Sequence, residues 1–177
     1  MGRDKALLEV AGMPLWRLQL EKLRAVCSEV VVCGSPAQRH AFESDHVRFE
    51  SDAAPGLGPL SGIARAMETT QCSHVLVLAV DMPKMSEHYL SGLLEFASEG
   101  SGAVPENGGL FEGLCAVYPV TMQPMVLELL SGSDRSLQRL IRLGMERSLM
   151  QAKPVSTSER ALFENWNAPA DVAPVQK

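Results

Sequence analysis

Asp81 follows directly on the most apolar run of the chain, Val75-Leu76-Val77-Leu78-Ala79-Val80, and Pro83 stops that run from continuing. In a parallel α/β sheet, ligands gather beyond the carboxyl ends of the strands. A carboxylate there can hold Mg²⁺ through oxygen and leave positions for water and phosphate. An aspartate that only makes a turn hydrogen bond suits the position equally well. The second feature is Pro55-Gly56-Leu57-Gly58-Pro59-Leu60-Ser61-Gly62. Its glycines let the backbone approach a ligand closely, and the helix it opens offers unpaired N–H groups to an anion or a base edge. It has no Gly-Lys-Ser/Thr and is not a Walker loop, nor is it the dinucleotide fingerprint. An ordinary strand-to-helix connection has the same composition.

Other polar residues are ambiguous by themselves. Gly2-Arg3-Asp4-Lys5 reads as a solvated end, and Asp52 as a turn residue ahead of the glycine loop. Asn165 and Asn167 flank Trp166, and Asn167 suits either a helix cap or a metal-directed amide oxygen. His40, His46, His74 and His88 are scattered, with no Ser or Cys in triad order. Cys27, Cys33, Cys72 and Cys115 form no CxxC pair and no zinc spacing, so they read as reduced, mostly packed thiols of a cytosolic protein.

The elements that must position these groups alternate between helix and strand, the pattern of an α/β domain. Pro14 opens a helix with Leu15, Leu18, Leu23 and Val26 on its apolar side. Glu29 to Cys33 reads as a strand buried on both faces and closed by Gly34. A short helix runs from Ser35-Pro36 through Phe42, and a weaker strand from His46 to Glu50. The glycine loop leads into a helix through Met67, then comes the strand Val75 to Val80. Ser86 caps a helix bearing Leu90, Leu93, Leu94 and Ala97. Gly102–Pro105 and Gly113–Tyr118 read as strands joined by a turn at Asn107-Gly108-Gly109. Helices near Thr121–Leu130 and Ser136–Leu143, and a strand near Leu149–Ala152, complete the pattern. The two most apolar strands are expected side by side or nearly so, with Asp81, Asn167 and Lys5 converging on one cleft.

The chain has 177 residues, with 46% hydrophobic and 21% charged, which suits one domain spanning 1–177 with a real core. A net charge of −5 argues against broad nucleic-acid binding. No apolar run reaches the roughly 20 residues of a membrane helix, and the start does not read as a signal peptide. A cytoplasmic protein without nucleic-acid or membrane partners is the expectation.

Taken in order, these pieces resemble the MobA-like nucleotidyltransferases, which include the molybdenum cofactor guanylyltransferases. Met1-Gly2-Arg3-Asp4-Lys5-Ala6-Leu7-Leu8 and Gly12-Met13-Pro14-Leu15 look like the second half of that family's signature. Gly58-Pro59-Leu60-Ser61-Gly62 is similar to its Gly-Pro-Leu-x-Gly segment, and Ala79-Val80-Asp81-Met82-Pro83 to its Cys-Asp-x-Pro strand end. Leu114-Cys115-Ala116-Val117-Tyr118 matches a later strand, and Asn165-Trp166-Asn167-Ala168-Pro169-Ala170-Asp171 the closing Asn-x-Asn-Thr-Pro-Glu-Asp.

The resemblance implies a three-layer αβα domain with a Rossmann-like, mostly parallel sheet, of the nucleotide-diphospho-sugar transferase type. It implies transfer of a nucleoside monophosphate from GTP, or CTP, to a molybdopterin-type phosphate acceptor, with Mg²⁺ and release of pyrophosphate. Lys5 would contact the nucleotide phosphates. Asp52 and Gly58, Pro59, Leu60 and Gly62 would hold the nucleotide, and Asp81 would bind Mg²⁺ as well as nucleotide. Asn165 and Asn167 would line the acceptor side or assist the metal. The acceptor phosphate is already anionic, so no general base is required; the catalytic work, assigned to Lys5 and Asp81, is positioning and charge neutralisation.

Two departures qualify this. The family signature begins with a strand and an Ala-Gly-Gly turn, so an N-terminally truncated domain is expected, with an open edge where that strand belongs. Either Met1 is an internal methionine of a longer chain, or the truncation is genuine and leaves a weakened enzyme or a non-catalytic binding remnant. An asparagine common in guanylyltransferases is replaced by Cys33, which leaves CTP open beside GTP.

Overall fold

A computed structural model describes residues 8–10, 12–42, 47–52 and 56–166. The first described feature is a small antiparallel pair, β1 (Glu9–Val10) and β2 (Met13–Pro14). Pro14 then leads into α1 (Leu15–Val26), where a missing N–H costs nothing. The buried stripe of α1 is Leu15, Trp16, Gln19 and Leu20, so the expected apolar side is rotated and Leu18 is only half-buried. β3 (Val31–Gly34) pairs in parallel with β4 (Arg48–Ser51), and α2 (Pro59–Thr69) crosses over to β5 (His74–Leu78). His46, proposed to begin β4, lies outside the described residues.

The remaining strands form one sheet. β5 pairs with β8 (Cys115–Pro119), β8 with β6 (Gly102–Asn107), and β6 with both β7 (Leu110–Phe111) and β9 (Met150–Pro154). Three of these pairings are antiparallel, and β6–β9 is parallel. This corrects the expectation of a mostly parallel sheet. Only residues 108–114 connect β6 to β8, too short for the crossover that a parallel neighbour needs. The chain turns at Gly108-Gly109, both with positive φ, and comes back antiparallel.

Helices cover both faces. α2, α4 (Gln123–Ser131) and α5 (Leu137–Glu146) pack with Val104, Ala116 and Tyr118 in one core. α3 (Glu87–Phe96) packs with Ala103, Cys115 and Val117 in another, with Leu23 and Val26 of α1 at its margin. Successive residues of β6 and β8 therefore point into opposite cores, the period of two expected of a strand buried on both sides. The three layers are helix, sheet and helix. Trp16, Leu20, Phe42 and Phe49 make a smaller cluster beside β3 and β4, with Phe42 and Phe49 stacked at 5.4 Å.

β3 and β5 depart from expectation in burial. Every residue of both is half-buried rather than covered on two sides. Each has one edge with no strand partner among the described residues, and a cavity of about 800 Å³ lies between them. No described helix is long and apolar enough to cross a membrane.

Candidate active site

β3, β4 and β5 deliver their carboxyl ends to one side. The Arg48 guanidinium at the start of β4 donates to the Thr69 carbonyl at the end of α2 (3.3 Å), so α2 runs back along β4 before β5 begins. At the other end, a Cβ on Gly62 would stand 3.2 Å from Cβ of Cys33 and 3.5 Å from Oδ1 of Asp52. The glycine brings the first turns of α2 against both strand ends. Asp52 is fastened there by its backbone N–H, which donates to the Gly34 carbonyl at 3.0 Å. Burial raises the pKa of its half-buried carboxyl.

Gly58 caps α2 with φ 76° and ψ −167°, a conformation essentially reserved for glycine. Pro59 takes the first helical position and is exposed. Leu60 is fully buried in the core, so among the proposed nucleotide contacts it offers backbone only. Asp52, Gly58, Pro59 and Gly62 border the cavity, together with Ala79 and Val80.

Asp81 lies in the turn after β5. The strand ends at Leu78 rather than Val80, although the Ala79 N–H still donates to the Leu114 carbonyl at 2.7 Å. Gln19, only 4% exposed, shapes the turn. Its Nε2 donates to the carbonyls of Ala79 (3.3 Å), Val80 (3.4 Å) and Met82 (2.7 Å). Lys22, one helical turn on, donates from Nζ to the Pro83 carbonyl at 2.7 Å. Burial lowers the Lys22 ammonium to about 8, with Glu87 acting against that shift. Neither residue was singled out from the sequence. The available signal was a polar residue at a core-facing position of an otherwise amphipathic helix.

The C-terminal segment comes to the same turn. The Trp166 N–H donates to the Asp81 carbonyl at 2.8 Å. Phe163 is buried and packs edge-on against Tyr89, with ring centroids 5.3 Å apart, and Glu164 pairs with Lys84 at 2.5 Å. These contacts place exposed Asn165 beside the strand end that carries Asp81. Lys5 and Asn167 lie outside the described residues.

The described residues hold no cluster of three metal-ligating side chains. Asp81 and Asp52 provide hard oxygen donors at one end of the sheet, a set that suits Mg²⁺ shared with ligand phosphates and water rather than an all-protein cage. Nδ1 of His74 lies 2.9 Å from Oγ of Ser73, its neighbour in sequence.

Residues 1–153 match the model of the MobA-like NTP transferase domain. A protein named "Probable molybdenum cofactor guanylyltransferase" from Opitutus terrae is 32% identical over 97% of this chain and 86% of its own length. The "Molybdenum cofactor guanylyltransferase" of Pseudomonas putida is 29% identical over 95% of this chain and 86% of its own. Among solved structures, molybdopterin-guanine dinucleotide biosynthesis protein A from Archaeoglobus fulgidus superposes with a TM-score of 0.73 at 23% identity, covering 97% of this chain and 88% of that one. The 2-C-methyl-D-erythritol 4-phosphate cytidylyltransferase of Thermus thermophilus gives a TM-score of 0.70 at 18% identity, covering 95% and 90%. Both structures share the α/β nucleotidyltransferase fold with this chain.

Proposed function

The chain belongs to the MobA-like NTP transferase family, and from that premise we propose that it transfers GMP from GTP to the terminal phosphate of a molybdopterin-type acceptor, releasing pyrophosphate. The observation that carries this reading is that Val80, which immediately precedes Asp81, borders the same cavity as Asp52 and the N-terminus of α2, with the Trp166 segment fastened to the Asp81 turn. The whole of 1–177 acts as one domain in this proposal.

An acceptor phosphate oxygen attacks the α-phosphorus, and the bond from that phosphorus to the β-phosphate bridging oxygen breaks. The acceptor oxygen is anionic at neutral pH, so the chain need not remove a proton. Its residues bind and orient. The first-turn N–H groups of α2 and the Gly56–Gly58 backbone face phosphate, and Asp52 holds the nucleoside. Lys5 neutralises the nucleotide phosphates, and Asn165 and Asn167 orient the acceptor. Asp81 holds Mg²⁺, which when bound supplies positive charge for the α-phosphate and the departing pyrophosphate. Gln19 and Lys22 keep the Asp81 turn in place.

Cytidylyl transfer is the second reading. It is favoured by Cys33, which borders the cavity where the guanylyltransferase pattern carries asparagine. Burial, followed by Asp52 and Glu50, pushes its thiol up to about 11, so it is neutral and offers only a weak donor to a base. The deciding experiment measures pyrophosphate release with purified molybdopterin, Mg²⁺ and each of GTP, CTP and ATP. Release that depends on acceptor and is fastest with GTP supports the first reading. Fastest release with CTP selects the second, and none with any nucleotide overturns both.

A further inference from the structure

β8 and β6 bring a second set of polar groups to the end of the sheet that carries Asp81. The Ala79 N–H donates to the Leu114 carbonyl at 2.7 Å. Asp81 follows two residues after Ala79, and Glu112 stands two before Leu114. Because β5 and β8 are antiparallel, both carboxylates lie at the same end of that pair. The Glu112 N–H donates to the Pro105 carbonyl at 2.9 Å, which fixes Glu112 beside the carboxyl end of β6.

Polar atoms at this rim are left unspent. Glu112 is half-buried and pairs with no cation among the described residues. Its Oε1 accepts from Nδ2 of Asn107 at 3.1 Å. Oε2 of Glu112 and Oδ1 of Asn107 are thus two neighbouring acceptors with no donor among the described residues. Tyr89 approaches from α3, is 4% exposed, and its hydroxyl has no hydrogen-bond partner among the described residues. Burial, then the charges of Cys115, Glu159 and Glu112, hold the phenol above its usual range, so it is protonated and aimed at this rim. Lys153, with Nζ 4.5 Å from the centre of the Tyr89 ring, pairs with Glu159 at 3.7 Å, which leaves Glu112 as the carboxylate without a cation. A buried hydroxyl without a partner and a half-buried carboxylate without a cation are both costly. A bound group that brings donors to one and an acceptor to the other relieves both.

We propose that Glu112 and Asn107 recognise the heterocycle of the acceptor, a 2-amino-4-oxopyrimidine ring such as that of a pterin. Its amino group and adjacent ring N–H donate to Oε2 of Glu112 and Oδ1 of Asn107. The ring carbonyl on the same edge is an acceptor of the kind the Tyr89 hydroxyl lacks. Two acceptors and one donor face two donors and one acceptor, so a ring with a carbonyl in place of the amino group meets Glu112 acceptor to acceptor and is rejected. The assignment rests on a molybdopterin-type acceptor at the Asp81 turn, and it gives that acceptor specificity-determining residues on β6 and on the turn before β8.

The probe is 6-hydroxymethylpterin, titrated into the full chain without nucleotide and followed by its own fluorescence. The control is the matching 2,4-dioxopteridine, in which a carbonyl replaces the amino group. The pterin is expected to bind about tenfold or more tightly than the control. Glu112→Gln puts a donor where the ring needs an acceptor and removes that preference. Glu112→Ala removes it too and serves as the second variant, with an unchanged melting temperature showing that the fold is intact. Equal binding of the two rings by the parent chain, or an unchanged preference in the folded variants, overturns the proposal. Guanine carries the same edge, so the affinity of GTP with Mg²⁺ is measured by calorimetry on the same variants. It should not change, and a loss matching that of the pterin assigns Glu112 to the nucleotide base and overturns the proposal. Ring preference without pyrophosphate release counts against nucleotidyl transfer alone; release without ring preference counts against Glu112 alone.

Discussion

The backbone N–H of Trp166 donates to the carbonyl of Asp81 across 85 positions of sequence, at 2.8 Å. Through this bond the segment that carries Asn165 reaches the strand end with the proposed metal-binding carboxylate. The bond uses only backbone atoms, so side-chain chemistry at Asp81 and attachment of the segment can be perturbed separately.

Asp81→Asn keeps size and backbone while removing the charge. Mg²⁺-dependent turnover is expected to fall by about a hundredfold or more, the scale seen when charge stabilisation is removed from a phosphoryl-type transition state. The melting temperature should stay within a degree or two, because the side chain sits in a turn and its loss opens no core cavity. Pyrophosphate release and thermal unfolding, measured on the same preparation, check both halves.

Trp166→Pro deletes the N–H that holds the segment to Asp81. Loss of that bond costs about 1 kcal/mol of local attachment. If the segment serves the acceptor, KM for the acceptor rises while KM for the nucleotide changes little. An equal rise in both would remove the segment from the acceptor side.

Gln19→Leu replaces a buried amide by a side chain of similar length with no donor. The Met82 carbonyl loses its 2.7 Å partner, and the longer contacts to Ala79 and Val80 are lost with it. Stability should drop by about 1–3 kcal/mol. As Gln19 is a positioning residue, the concentration of Mg²⁺ needed for half-maximal turnover should also rise, which a purely structural role would not produce.

Gly58→Ala forces a side chain into a conformation that strains it by about 1–3 kcal/mol. No atom lies within 4 Å of the added Cβ, so strain rather than collision is responsible. The glycine loop relaxes away from its cap, and nucleotide affinity by calorimetry is expected to weaken by about tenfold or more. An alanine with unchanged affinity would take Gly58 out of the nucleotide site.

Cys33→Ala tests the electrostatics of the β3 edge. Burial, then Asp52 and Glu50, raise its pKa from 9.0 to about 11. The unfolded chain therefore loses this proton before the folded one does. The contribution to stability is complete below pH 9 and is lost as pH rises through about 11. Melting curves of parent and variant should diverge least at pH 11 and above and most below 9, and the difference isolates Cys33 from the other titrating groups. A pH-independent difference would show that the thiol ionises alike in both states.

Local patterns were enough for much of the architecture. The alternation of apolar runs with amphipathic stretches identified helices and strands, since burial on one or two sides imposes its own period on the chain. From sequence, a glycine-rich loop runs through Gly62 ahead of a helix ending at Met67; α2 instead begins at Pro59, inside that loop, and runs to Thr69. The family was legible from short ordered motifs, each bound to a turn or strand end where few residue types suffice.

What required the tertiary structure was the choice of partners. Strand direction depended on the length of the β6–β8 connection, and local propensity carries no information about which edge a returning strand will find. Gln19 reads in sequence as one polar residue on a helix. Its role exists only because folding brings three carbonyls from beyond β5 within its reach. Val31 to Cys33 and Val75 to Val77 look alike as sequence, and their apolar side chains do predict a place inside a sheet. That β3 pairs with β4, and β5 with β8, among the described residues is a property of backbone hydrogen bonding across the fold, which side-chain identity does not encode.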